Sequence, residues 1–330
     1  MAKEMDLIEV ARLAGVSKST VSRALNNEYG VSERTRKKVW KIVEDNKFIW
    51  NSSARNLRSG KSKTVGILYS DLQSGSAIQH PAHSQKIEGI LAKCRELGYD
   101  AYFFSGDLSC REGLLPIIRE KNLAGVLVLT LMDEKVVELL SEYQIPFVLL
   151  NWMLQGDAHQ VYIKTDIAGA VAKGMESLWQ RGYRNPAVFD WQERSARNEE
   201  VKRGFLQACR QLGLDPSGRY WMETNGWTET LFQSLLDNRS YDSYFCLSSH
   251  TSMQLLKLCL KKGIRVPDEI GVISFDYLPF YQYATPSLSG IRQDFERIGR
   301  EGIEMLDLLI RGEPVDNRLL QADMVEMESY

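Results

Sequence analysis

The 330-residue sequence predicts an all-α helix-turn-helix head followed by an α/β body of two doubly wound parallel-sheet subdomains. Three observations carry this. The stretch EVARLAGVSKSTVSRALN, residues 9–26, holds two short helical patterns separated by one glycine. Residues 1–63 contain 14 Lys and Arg against 7 Asp and Glu, and the remainder 27 against 36, so a chain of net charge −2 divides into a basic head and an acidic body. From about residue 64 onward, short β-rich apolar runs alternate with amphipathic helices.

In the head, Leu7, Val10, Ala11 and Ala14 recur at i, i+3, i+4 and i+7, which gives a helix with one apolar stripe. Gly15 ends that helix by entering the left-handed conformation, and Ser17 is a good N-cap for a second one. There Val21 and Leu25 face one way, while Lys18, Ser19, Ser22 and Arg23 face the other. A helical hairpin with a merely solvated outer face has the same pattern. The concentrated positive charge favours a nucleic-acid reader, because basic patches bind phosphate backbones by releasing counterions. Ser32 caps a third helix with Val39, Ile42 and Val43 as its stripe and Arg34, Arg36, Lys37, Lys38 and Lys41 as its charge. Residues 48–64, FIWNSSARNLRSGKSKT, read as a linker. Gly60-Lys61-Ser62 is no phosphate loop, since Arg55 stands where that motif needs a glycine. The boundaries expected are a head over 1–49, a hinge helix and linker over 50–63, and a body over 64–330.

Residues 6–63 resemble the DNA-binding head and hinge of the LacI/GalR family of bacterial transcription regulators, through EVARLAGVSKSTVSRALN, VSERTRKKV and NSSARNL. The resemblance implies that Lys18, Ser19 and Arg23 read bases in the major groove, with Ser22 on the same face. It implies that Ser17, Thr20, Asn26, Ser32 and Thr35 hold phosphates. Asn51, Ala54 and Leu57 would belong to a hinge helix whose leucine wedges into the minor groove. These roles make physical sense, since Arg grips guanine bidentately and an apolar wedge unstacks a base step. Trp50 departs from the family, which has proline before the hinge asparagine.

The body's apolar runs fall into two sets. VGILY (65–69), AYFF (101–104), GVLVL (125–129) and FVLL (147–150) form the first; VYI (161–163), PAVF (186–189), YFCL (244–247) and IGVIS (270–274) form the second. Such runs separated by helices mean parallel sheets covered on both faces. The break is expected at the polar stretch 151–160. Subdomain one then spans about 64–160 and 291–330, and subdomain two about 161–290. The family resemblance continues through VGILYSD (65–71), DIAGAVAKGMESLWQRGYRNPAVF (166–189), VPDEIGVISFD (266–276) and PSLSGIRQDFERIGREG (286–302). It implies a periplasmic-binding-protein-like fold whose cleft holds a small-molecule effector, expected to be a carbohydrate or a derivative of one. By position Asp71, Asn151, Phe275 and Asp276 approach that cleft. Aspartate also commonly ends strands as a turn residue, which is the plainer reading of Asp71 and Asp276.

Two family contacts are missing. Val201 stands three residues before Gly204, where the family has arginine, and Ser248-Ser249 replace an Asn-Asp or Ser-Asp pair. Arg194 or Arg197 can reach in from the preceding loop, and the long loop 72–85 offers Gln79, His83 and Gln85.

Catalytic and metal chemistry find no support, and no cofactor is expected. The four histidines include only one close pair, His80 and His83, without the glutamate of a metalloprotease. The cysteines at 94, 110, 209, 246 and 259 form no C-x-x-C pair, which suits reduced thiols of a cytoplasmic protein. No apolar run matches a membrane span or a signal peptide. The expected protein is therefore a cytoplasmic, non-enzymatic regulator, a repressor more than an activator, that binds a pseudopalindromic double-stranded operator as a homodimer or tetramer. The competing readings are a body that answers to a protein corepressor and a stand-alone sugar-binding protein.

Overall fold

A computed structural model describes residues 7–25, 29–46, 62–69, 81–105, 111–130, 133–154, 160–191, 196–223 and 229–330. The chain divides into two compact units, Met1–Ser62 and Lys63–Tyr330.

Among the described residues, the first unit consists of α1 (Leu7–Ala14), α2 (Lys18–Leu25) and α3 (Glu33–Asp45). Gly15, at φ 64°, turns the chain between α1 and α2, and the Val16 N–H closes back on the Ala11 carbonyl at 3.1 Å. Ser17 and Ser32 cap the next two helices as the sequence predicts. Their hydroxyls accept the backbone N–H groups of Thr20 (3.1 Å) and Thr35 (3.2 Å). Val10, Ala11, Ala14, Val21, Ala24, Leu25, Val39 and Val43 close one small core. Arg36 donates to the Ala24 carbonyl at 3.4 Å and ties α3 to the end of α2.

The second unit contains two sheets, each six-stranded among the described residues. The first comprises β1 (Thr64–Leu68), β2 (Asp100–Phe104), β3 (Leu123–Val128), β4 (Phe147–Leu150), β5 (Tyr162–Thr165) and β11 (Arg318–Leu320), in the order β2-β1-β3-β4-β5-β11. The second comprises β6 (Pro186–Trp191), β7 (Tyr220–Glu223), β8 (Ser243–Cys246), β9 (Gly271–Phe275), β10 (Ser289–Arg292) and β12 (Asp323–Val325), in the order β7-β6-β8-β9-β10-β12. All pairings are parallel except β10 with β12. The two halves thus repeat one doubly wound order, with switch points between β1 and β3 and between β6 and β8.

Helices bury both faces of each sheet. On the first, α4 (Pro81–Leu97) and α11 (Phe295–Arg311) pack Ile90, Cys94, Ile298 and Leu306 against Ile67, Leu127 and Val148. On its other face, α5 (Arg111–Glu120) and α6 (Glu134–Glu142) pack Leu114, Ile118 and Leu140 against Leu68, Val126 and Leu149. The second sheet is sandwiched by α7 (Ile167–Gln180) with α8 (Ala196–Leu212), and by α9 (Glu229–Asp237) with α10 (Ser249–Lys262). Each fully buried Leu, Ile or Phe contributes about 1.5–3 kcal/mol of burial free energy. The α4–α11 contact depends on two glycines. A Cβ on Gly89 would lie 2.0 Å from the Glu296 carbonyl oxygen, and one on Gly299 2.1 Å from that of Lys86.

The subdomain boundaries differ from those expected. Residues 162–165 pair with β4 in the first sheet rather than opening the second, so the break at 151–160 is not the crossover. The chain crosses after Thr165, again between β10 and α11, and a third time between β11 and β12. Hence residues 289–292 and 323–325 belong to the second sheet, and only α11 and β11 return to the first. Sheet membership is decided by which edge is open for pairing, and a short apolar run carries no mark of that edge.

Cys94, Cys209, Cys246 and Cys259 are buried free thiols, and burial pushes Cys94 and Cys259 up to about 12. Among the described residues, no helix is long and apolar enough to cross a membrane.

Candidate functional site

In the head, α2 spends Val21, Ala24 and Leu25 on the core. Its remaining face leaves Lys18, Ser19 and Arg23 exposed, with Thr20 and Ser22 half-buried at the rim. Ser17 Oγ lies 2.7 Å from Ser19 Oγ and 2.8 Å from Thr20 Oγ1. Ser32 Oγ lies 2.8 Å from Thr35 Oγ1. Two helix N-termini therefore each present a hydroxyl pair beside backbone N–H groups, an arrangement that suits phosphate oxygens. Asn26, Asn51, Ala54 and Leu57 lie outside the described residues.

In the body, polar groups gather at the carboxyl ends of both sheets, where ligands of doubly wound folds bind. Asp276 follows β9 directly and takes a left-handed backbone, φ 72°. Asn151 follows β4 in the same way, φ 67°. Gln293, buried between them, donates to the Asp276 carboxylate and accepts from Asn151 Nδ2 at 3.2 Å. The Asn151 side-chain oxygen, Oδ1, accepts the Thr165 N–H at 3.0 Å. This chain of amides joins two of the three crossovers. Asn151 is accordingly committed to the hinge of the body, and Asp276 is both a turn residue and a partner of that hinge.

Arg197, at the start of α8, spans the second sheet's switch point. It donates to Asp190 at the end of β6 (3.0 Å) and to the Leu247 carbonyl just past β8 (3.1 Å). Its guanidinium carbon stands 5.7 Å from the centre of the Phe275 ring. Asp190 is wholly buried and also accepts from Asn198 Nδ2 (2.8 Å) and the Tyr220 hydroxyl (2.7 Å). Burial and the Asp190 charge push the Tyr220 phenol well up, so it remains a donor. Phe275, expected in the cleft, is instead core: its ring is buried and stacks on Phe245 at 6.2 Å, because β9 points it toward α7 and α8. Val201 is likewise core.

Lys86, which the sequence did not single out, occupies the first sheet's switch point. Its side chain is buried and Nζ donates to the Leu129 carbonyl, just past β3, at 2.9 Å. Burial lowers it to about 7, and the nearby Asp276 charge pulls the other way. Gln85 lies half-buried on a polar cavity of about 550 Å³ with Tyr277, Gln293, Arg297 and Gln321, at the crossovers. Asp71, Gln79 and Arg194 lie outside the described residues. A further unforeseen pair joins the halves: Lys164 of β5 donates to both carboxylate oxygens of Glu200 on α8. Asp190 and Gln293 had a faint signal, each polar at or just past a strand end. Lys86 had none, since a helical lysine reads as solvated.

A three-helix reading head and a body of two doubly wound halves with a polar cleft define a helix-turn-helix transcription regulator. The family described as "Bacterial regulatory proteins, lacI family" matches residues 6–51, and "Periplasmic binding protein-like domain" matches residues 175–329. The chain thus carries a lacI-type DNA-binding domain and a periplasmic-binding-protein-like domain. The probable HTH-type transcriptional repressor ExuR of Bacillus subtilis (strain 168) is 28% identical over 310 residues, 92% of this chain and 90% of that protein. The lac repressor dimer bound to operator and the anti-inducer ONPF matches in fold with a TM-score of 0.83 at 21% identity, over 99% of each chain. The transcriptional regulator CelR–cellobiose complex matches with a TM-score of 0.72 at 23% identity, over 99% of this chain and 100% of that one.

Proposed function

We propose that this transcription regulator is a cytoplasmic repressor that binds a pseudopalindromic operator as a homodimer and releases or tightens on it when a small molecule enters the cleft. The observation that carries the DNA half is the division of α2 into a buried apolar face and an exposed face of Lys18, Ser19 and Arg23. In this reading those three contact base edges and Ser22 lies beside them. Ser17, Thr20, Ser32 and Thr35 hold phosphates, joined by Asn26 from the turn. Asn51, Ala54 and Leu57 form the minor-groove hinge. One head this small buries too little surface for tight specific binding, which favours two heads on two half-sites.

For the cleft, Asp276, Arg197 and Asp71 are the proposed effector contacts, with Gln85 at the rim. Asn151 and Phe275 support them from the hinge and from beneath Arg197. The cellobiose in CelR and the ONPF of the lac repressor support a carbohydrate-like effector. The test is a gel shift and footprint of the full chain on DNA upstream of its own gene. A protected two-fold symmetric site, retained against excess random DNA, is the expected result. A chain that sediments as a monomer and protects an asymmetric site overturns the dimer, and equal affinity for all DNA overturns the regulator.

A further inference from the structure

The two halves of the body carry a cation at matching places. In the first, the Leu129 N–H bonds to the Leu68 carbonyl of β1 at 2.8 Å, and the Leu129 carbonyl receives Lys86. In the second, the Leu247 N–H bonds to the Phe189 carbonyl of β6 at 2.8 Å, and the Leu247 carbonyl receives Arg197. Lys86 and Arg197 lie on α4 and α8, each the helix that connects the first two strands of its half. Lys86 also stands three residues before Gly89, the glycine of close helix packing, just as Val201 stands three before Gly204. The cation absent at Val201 in the second half thus has a counterpart in the first.

Both cations converge on the end of β9. Arg197 rests over Phe275, and Lys86 feels the charge of the next residue, Asp276. Among the described residues neither spends all its donors. Among the described residues Lys86 Nζ makes one hydrogen bond of the three it can offer, and Arg197 uses two of its five N–H groups. The acidic partners are occupied otherwise: Asp190 is shared by Arg197, Asn198 and Tyr220, and Asp276 takes Gln293. A buried ammonium that, among the described residues, bonds to one carbonyl is costly, and burial lowers its pKa accordingly. A neutral polyol offers only hydroxyls to such a pair. An anion inserted between them satisfies both.

We infer that the effector is a hydroxylated molecule carrying one anionic group, with Lys86 and Arg197 gripping that group from opposite halves and Asp276 accepting from its hydroxyls. The inference rests on the cleft being the effector site. It is tested by calorimetry of the full chain with D-galacturonate, D-glucuronate and glucose 6-phosphate beside galactose and glucose, on wild type, Lys86→Met and Arg197→Gln. Melting curves establish that each variant is folded, and Arg197→Gln, on a part-exposed side chain, decides the matter if Lys86→Met does not fold. At least one anionic ligand should bind ten-fold or more tighter than its neutral parent, and each variant should lose ten-fold or more of that affinity. Binding by the uronates alone assigns a carboxylate; binding by the phosphate alone assigns a phosphoryl group. A neutral sugar that binds as tightly as its acid, or variants that keep full affinity for the acid, overturns the inference while leaving the effector cleft intact. No binding by either kind overturns both.

Discussion

Gln293 and Asp276 are bonded side chain to side chain where the chain leaves the second sheet, the Gln293 amide donating to the Asp276 carboxylate. Because the same amide also receives Asn151 from the first half, a group that pulls on Asp276 pulls on the hinge. Effector and operator, if they favour different arrangements of the halves, must alter each other's affinity by the same factor, typically worth about 1–3 kcal/mol. Asp276→Asn keeps the shape and removes the charge. It should abolish the effector response while leaving unliganded operator affinity nearly unchanged, as read by operator titration with and without a ligand found by calorimetry. Full ligand affinity in Asp276→Asn would remove the residue from the site.

Base reading separates from charge in the head. Arg23→Ala should cost about 1–3 kcal/mol on the operator and relax one position of it. Lys38, exposed on α3, should on replacement by Ala weaken all sequences alike or do little. Competition binding on operator and random duplexes distinguishes the two, and equal losses for both variants on both DNAs would mean that Arg23 is no reader.

The Lys164–Glu200 pair joins β5 of the first half to α8 of the second, with 4% and 14% of the side chains exposed. Removing one partner of such a pair strands the other, so Glu200→Gln should destabilise the body by about 3–5 kcal/mol. Arg203, 3.5 Å from Glu200 on an exposed arm, cannot replace the loss. Replacing both, Lys164→Met with Glu200→Leu, should recover most of it. Urea titration of the single and double variants measures the difference, and a double variant no better than the single would show that the pair is not isolated.

Lys86 predicts a stability that rises with pH. The native side chain gives up its proton near 7 and the unfolded one near 10.5. Between those values the unfolded state holds more protons, so wild-type stability climbs through that window, and below it the buried charge costs its full amount. Lys86→Met should be the more stable protein at pH 6, by on the order of 3 kcal/mol, and should lose the climb. Urea midpoints at pH 6, 8 and 10 check this; parallel curves for the two proteins would place the titration elsewhere.

What the sequence determined by itself is whatever local spacing encodes. The three head helices, their serine caps and the exposed face of α2 follow from periodicity within a dozen residues, and the core of Val10, Val21 and Val39 is the one the stripes imply. The buried strands β1, β3, β4, β6, β8 and β9 are equally legible, because a strand covered on both faces is a run of apolar residues. Of the four edge strands only β2 was: β7, β11 and β12 owe their form to neighbours, and β11 and β12 are three residues each. Nor was the sheet to which β5 and β10 belong, since either half offers a pairing edge and only the closed chain chooses. The site divides the same way. Asp276 stood out because it follows a strand, whereas Lys86 looked like any helical lysine until the Gly89–Gly299 contact brought α4 and α11 together over it. Burial of a charge is a property of what surrounds it in space, and residues more than two hundred positions apart in the chain decide it here.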